Sequence, residues 1–226
     1  HLTQSAPDRR AAFTYGWLFG VGQFTLALHW IAHAFTFQDA MPHWLGYGGV
    51  ILLSLYLALF PALATSGAWW LQRKLPSLQR EGLGVGAAPS AASDLTFPLL
   101  LAALWIATEY LRATLFTGFA WNPIGIILLP SGAAIAATLV GTYGLGALVI
   151  LASAALLLIA RRQIAAPAAM LAPLLLAALW GWLSPAPATP PGAPRIRVVQ
   201  PNIGQDEKYS VEREFANFRK LTALTG

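Results

Sequence analysis

Five long apolar runs, separated by short polar or turn-rich connections, govern what this chain can fold into. They cover roughly 12–35, 46–72, 95–115, 132–160 and 165–184. An α-helix rises about 1.5 Å per residue, so about 20 mostly apolar residues cross the hydrocarbon core of a bilayer. Each run reaches that length with too few charges for a soluble helix. Inside lipid a segment must satisfy its own backbone groups, which favours helix over strand. The expectation for residues 1–184 is therefore an all-α polytopic membrane helix bundle of five spans. Interior Pro61, Pro98, Pro167 and Pro173 are compatible with it, because neighbouring helices can re-satisfy the freed groups. Composition agrees: 57% of the residues are apolar and 10% charged, against about 25% charged in an ordinary soluble domain.

The placement of the few charges matters more than their sum. A formal net charge of +5 would suit an acidic partner such as nucleic acid, but the basic residues cluster at span ends. Arg9 and Arg10 precede the first span, Arg73, Lys74 and Arg80 follow the second, and Arg161 and Arg162 follow the fourth. The alternate connections, about 36–45 and 116–131, hold no Lys or Arg. By the positive-inside bias the first span starts in the cytoplasm and the tail after the fifth lies outside it. HLTQSAPDRR has neither an initiator Met nor signal-peptide character, so the first residue is expected to lie inside a longer parent chain. An odd number of spans without inverted internal symmetry weakens a transporter reading.

The stretch TEYLRATLFTGFAWNPIG, 108–125, is the most informative of the membrane part. Glu109 and Arg112 are three apart, close enough to pair on one helical face. Near the end of an apolar span an unpaired charge is expensive. Two readings stay open: a structural ion pair locking helix packing, or a pair that shapes a polar mouth for a lipid headgroup. Beyond it, Phe116 to Pro123 breaks the helix while remaining apolar and aromatic. Such a segment is either an interfacial aromatic anchor or a re-entrant loop lining a cavity.

Other features carry less. His29 and His33 are four apart but lack the zincin Glu between them, and only His43 is near, so helix-packing or interfacial histidines are expected and no metal site. Gly16 with Gly20, and Gly141, Gly144 and Gly146, have the spacing that lets helices approach closely. Gly82, Gly84 and Gly86 do not follow a strand, so they read as a flexible linker and not a phosphate loop. The chain contains no cysteine.

After the fifth run, PAPATPPGAP at 185–194 is a proline-rich linker. Ile196, Val198 and Val199 in RIRVVQ then predict a short strand, PNIGQ a turn, and 210–226 a helix with Ser210 as N-cap and an apolar face of Val211, Phe215, Phe218, Leu221 and Leu224. A strand followed by an amphipathic helix opens an α/β layer structure. It is too small to fold alone. The domain is expected to start at 195 and to be unfinished at 226.

These residues resemble the apolipoprotein N-acyltransferase family of bacterial inner-membrane enzymes. The likeness rests on GWLFGVGQF…LHW at 16–30 with MP at 41–42 and LYLALFPAL at 55–63, on TEYLRATLFTGFAWNPIG with GTYGL at 141–145, and on VVQPNIGQDEKY at 198–209. It implies that the tail begins a periplasmic nitrilase-like (αββα) carbon–nitrogen hydrolase domain. The five spans would then be the third to seventh of eight.

The resemblance also implies a ping-pong acyl transfer. A cysteine thiolate takes an acyl group from phospholipid, and the thioester passes it to the α-amine of a diacylated apolipoprotein. A glutamate acts as general base and a lysine holds the oxyanion. None of the three can be placed here, and Glu207, Glu212, Glu214 and Lys208 do not sit in the family's catalytic motifs. No cofactor is implied, and a monomer is favoured. The lipid-access positions that match are Glu109, Arg112, Gly118, Phe119, Trp121, Gln205, Lys208 and Tyr209. Tyr209 stands where the family usually has Trp, Gly204 and Ala120 each replace a usual Pro, and Gln38-Asp39-Ala40 departs from Gly-Gly. Two other functions compete: a non-catalytic membrane scaffold or transporter, and a membrane-tethered nitrilase-type amidase.

Overall fold

The computed structural model describes residues 2–37, 42–83, 92–116, 118–184, 190–194, 196–208 and 210–225. Among these residues all regular structure is helical. Helix α1 (Arg9–Ala34) starts where the Asp8 carboxylate accepts the Ala11 N–H at 2.7 Å, satisfying one orphan donor of the first turn. Its buried positions, Ala12, Gly16, Gly20, Phe24, Leu28 and Ala32, recur every four residues as one stripe. The stripe grades from small to large. At the small end a side chain on Gly16 would meet Thr65 Oγ1 and the Ala62 backbone, and one on Gly20 would lie 2.8 Å from Ala58 Cα. Thr65 Oγ1 lies 3.0 Å from the carbonyl oxygens of Ala12 and Pro61, tying the two helices at their closest approach. The G-x-x-x-G expectation holds here.

Helices α2 (Trp44–Leu57) and α3 (Leu59–Leu83) run on from one another through Ala58, and Trp44–Leu75 forms the one continuous segment that matches the span expected at 46–72. The interruption at Ala58 has a local cause: Pro61 has no N–H to give the Leu57 carbonyl. α3 also runs past 72, so Arg73 and Lys74 ride on helix and not in a connection. Of the GLGVG stretch, Gly82 belongs to α3, while Gly84 and Gly86 lie outside the described residues.

Helix α4 (Ala92–Thr114) contains Pro98. Two 3₁₀ segments, Ile124–Leu128 and Gly132–Ala136, lead to α5 (Ala137–Ala160). α6 (Ala165–Leu183) carries Pro167 in its first turn and Pro173 in its interior. α1 packs on both α2 and α3, and α3, α4, α5 and α6 follow by successive neighbour contacts. Gly141 corrects the close-packing expectation: nothing lies within 4 Å of where its Cβ would stand. Its φ of 68° and ψ of 177° kink α5, a conformation open to glycine but strained for other residues.

Among the described residues four segments are long and apolar enough to cross a membrane: Trp44–Leu75, Leu95–Thr114, Gly132–Ala160 and Ala165–Leu183. The expected first span is a 26-residue helix about 39 Å long, yet Thr14, Gly16, Gly20, Gln23 and Thr25 dilute its apolar character and it is not one of the four. The basic residues gather at one end. Trp69 Nε1 and Arg73 donate to the Ala6 carbonyl at 3.0 and 3.2 Å, beside Arg9 and Arg10, and Gln4 shares a cleft with Arg161.

In the tail, residues 185–189 of the proline-rich linker lie outside the described residues. The strand expected at Ile196–Val199 is not formed: no strand occurs among the described residues, and Ile196 and Val198 are exposed. A strand needs a ladder partner for its N–H and C=O groups, and none is paired with this segment. α7 (Gln205–Lys208) is a single turn, and α8 (Glu214–Thr225) supplies the expected helix after a 3₁₀ turn at Val211–Arg213. Ser210 does not cap it with its side chain; its hydroxyl donates to Glu212 Oε2 at 2.5 Å.

Candidate functional site

The C-terminal half of α4 and the segment after it form the most polar buried arrangement of the bundle. α4 ends in a tight return. Phe119 N–H bonds back to the Arg112 carbonyl at 2.8 Å and Gly118 N–H to Leu115 at 2.8 Å. Gly118 adopts φ +74°, and a side chain there would strike the Ala113 carbonyl. Only glycine fits both conditions. Phe116 and Asn122, at φ 56° and 54°, complete the turn away from helical geometry. Thr117 lies outside the described residues.

This non-helical backbone packs beside the bundle: the Phe116 ring lies 6.4 Å from Tyr56 of α2. Where a membrane segment leaves helical geometry, protein must satisfy its carbonyl and amide groups. Arg112 does so from one nitrogen: Nη1 donates to the carbonyl oxygens of Phe119 at 2.9 Å and Trp121 at 2.7 Å. Glu109 Oε1 accepts the Ile124 N–H at 2.8 Å. Asn122 Nδ2 donates to the Ala27 carbonyl on α1 at 3.0 Å. Both charges are buried, Glu109 at 4% and Arg112 at 2% exposure.

Glu109 and Arg112 are 3.9 Å apart, too far for a hydrogen bond. They compensate one another by charge, while Glu109 Oε1 and Arg112 Nη1 bond the loop. The guanidinium also lies 5.1 Å from the Phe24 ring centroid. Space for the carboxylate comes from α5, where a Cβ on Gly146 would stand 3.1 Å from Glu109 Oε2. Gly125 makes the matching approach, its missing side chain 2.7 Å from Leu145 Cβ and 2.8 Å from Gly146 N.

Around this frame the aromatics divide. Phe119 turns inward onto the cluster of Phe24, Leu28, Ala32, Val50 and Leu57. Trp121 turns outward, 61% exposed, and stacks on Trp30 with centroids 5.5 Å apart. Phe116 is 87% exposed. The segment therefore presents an aromatic rim over a backbone held from beneath.

The structure thus brings Glu109, Arg112, Gly118, Phe119 and Trp121 together. Gln205 and Lys208 are the first and last residues of α7, in the tail, and Tyr209 lies outside the described residues. Sequence reasoning did not single out Trp30, Asn122, Gly125 and Gly146 as parts of the site. The Asn-Pro turn signal pointed to Asn122, whereas Gly125 and Gly146 look like any other small residues until their approach is seen. His29 Nδ1 lies 2.8 Å from the Leu26 carbonyl of its own helix, and no group of three metal-ligating side chains occurs among the described residues.

Apolar helices, basic residues at one end and an internally satisfied loop define the class: a polytopic membrane protein with a specialised segment between α4 and α5. Residues 1–155 match the family model of the apolipoprotein N-acyltransferase N-terminal domain, and the chain belongs to that family. It is 33% identical over 224 residues to an apolipoprotein N-acyltransferase of Ralstonia nicotianae, covering 97% of this chain and 40% of the relative. The corresponding protein of Rhizobium rhizogenes is 36% identical over 205 residues, 87% of this chain and 35% of the relative. That of Methylococcus capsulatus is 31% identical over 229 residues, 98% and 41%. The chain spans about two fifths of the length of these curated relatives. No solved structure matches it.

Proposed function

We propose that these residues form the membrane part, and the opening of the catalytic domain, of an enzyme that moves an acyl chain from phospholipid to the N-terminal cysteine amine of diacylated lipoproteins in a bacterial inner membrane. The observation that carries this reading is the continuity of the likeness. One alignment runs through the bundle and the tail over 97% of the chain. In this reading α1 is the first of five spans and the tail lies opposite the basic end, on the periplasmic side.

In this reading residues 195–226 open a nitrilase-like domain, and the strand at Ile196–Val199 forms once partner strands are present. A thiolate of that domain attacks the phospholipid ester carbonyl and releases a lysophospholipid. The lipoprotein amine then attacks the thioester, forming an amide and restoring the thiol. The sequence contains no cysteine, so the nucleophile, and with it the glutamate and lysine of the family, lies outside these residues. The task of the present chain is to pass lipid to that domain. The rim of Phe116, Trp121 and Trp30 receives acyl chains, Glu109, Arg112 and Gly118 hold it in shape, and Gln205, Lys208 and Tyr209 are lipid-access positions of the tail.

The test is acyl transfer by a polypeptide carrying these residues together with the rest of its reading frame. Purified in detergent with phospholipid and a diacylated lipopeptide, it should yield the N-acylated peptide and lysophospholipid in equal amounts. Hydrolysis of simple amides with ammonia release and no N-acylation would instead identify a membrane-tethered amidase. Absence of both activities would leave a scaffold.

A further inference from the structure

A second lipid-facing feature lies at the opposite, arginine-rich end of the bundle, away from the aromatic rim. Between α4 and α5 the surface opens into a cleft of about 220 Å³. Its walls are Phe97, Pro98 and Leu101 from α4 and Ile150, Leu157 and Leu158 from α5. Its polar end is made by Arg161, with Gln4 from the segment before α1. From Ile150 to Arg161 the cleft follows α5 for about 16 Å, so its long axis runs with the helices.

The chemistry of the lining selects an occupant. The long apolar wall is open to hydrocarbon and suits an acyl chain. Arg161 closes the run, is exposed, and has no carboxylate partner among the described residues. Among the described residues no acidic side chain lines the cleft, so none of them would meet the ammonium group of a zwitterionic headgroup. The Ser153 hydroxyl is already used, donating to the Val149 carbonyl at 2.8 Å. A guanidinium offers planar paired donors to phosphate oxygens, and basic pockets between helices at this depth recognise anionic headgroups.

We propose that the α4–α5 cleft holds one acyl chain of an anionic glycerophospholipid from the leaflet on the arginine-rich side, with its phosphate paired to Arg161. This lipid is a bound structural partner. It is distinct from any acyl donor handled at the rim, and the inference rests on the membrane location of α4 and α5 alone.

The intact chain, purified in mild detergent and titrated with phosphatidylglycerol or phosphatidylcholine, should retain one phosphatidylglycerol in native mass spectra with about fivefold preference over phosphatidylcholine, the worth of one basic contact. Arg161→Gln should abolish the preference without unfolding the protein, because the side chain is exposed. Ser153→Phe, filling the cleft from its lip, should reduce retention of both lipids. Arg162→Gln, one residue beyond the cleft, should leave binding unchanged. The proposal is overturned if Arg161→Gln keeps the preference, if Arg162→Gln loses it equally, or if the unaltered chain does not discriminate between the lipids.

Discussion

Arg112 holds the carbonyl oxygen of Trp121 at 2.7 Å, nine residues along the chain and outside the helix that carries the arginine. The same nitrogen holds Phe119 at 2.9 Å, so removal of this one side chain strips two carbonyls of a donor. It also leaves Glu109 as a buried charge without compensation. Arg112→Ala is expected to destabilise the protein by about 3–5 kcal/mol, read from reversible unfolding in mixed micelles. Pairing it with Glu109→Gln should recover part of that loss, because the stranded charge is gone. Strict additivity in the double-mutant cycle would show that the two residues act independently.

Glu109→Gln alone keeps one of the carboxylate's two tasks and loses the other. The amide oxygen can still accept the Ile124 N–H, now 2.8 Å from Oε1, but buried Arg112 loses its compensating charge, so the expected cost is about 3–5 kcal/mol. Glu109→Ala, which also leaves that N–H unsatisfied, should cost about 1–3 kcal/mol more. Equal effects of the two substitutions would argue against an anchoring role for the carboxylate.

Gly118 combines a left-handed φ of +74° with direct contact of the missing side chain on the Ala113 carbonyl. Gly118→Ala is expected to destabilise by about 1–3 kcal/mol through backbone strain and to loosen the segment after it. Faster hydrogen exchange at the Phe119 amide, which bonds to the Arg112 carbonyl at 2.8 Å, is the local readout. Unchanged exchange there would count against the loop geometry. Gly141→Ala, also at positive φ but with open space around it, should show strain without that local loosening.

The helices were legible because bilayer crossing demands long apolar runs, and lipid supplies a single solvent against which to read them. α1 was legible as a helix but not as one of the four most apolar stretches, because Gly16 and Gly20 answer to α3 and not to lipid. The interruption at Ala58 leaves Trp44–Leu75 one continuous segment, as proline tolerance within membrane helices allows. The strand at Ile196–Val199 failed for a different reason: strand propensity is a statement about a sheet, and a segment without a partner cannot express it. At the site, Glu109 and Arg112 were visible as costly charges in an apolar run. Their use was not visible, since sequence spacing suggested a mutual pair and the structure directs their hydrogen bonds to residues 119–124. Glycine contacts such as Gly125 on Gly146 are a property of two distant segments, and one sequence carries no sign of which small residues will meet.

Trp121 separates the structural from the proposed functional role of the rim. Its ring is largely exposed and stacks on Trp30 at 5.5 Å, while its carbonyl stays on Arg112 whatever the side chain. Trp121→Ala should therefore cost only about 1 kcal/mol, the worth of one stacked pair. If the rim receives acyl chains, the same substitution in the complete enzyme should slow formation of the acyl-enzyme thioester from phospholipid while leaving transfer from a preformed thioester to the lipopeptide unaffected. Trp121→Phe, which keeps an aromatic face over Trp30, should restore most of the first-step rate. Single-turnover measurement of the two half-reactions distinguishes the outcomes. A well-folded Trp121→Ala enzyme with an unchanged first step would remove lipid access from the roles of this loop and leave it a structural closure of the bundle.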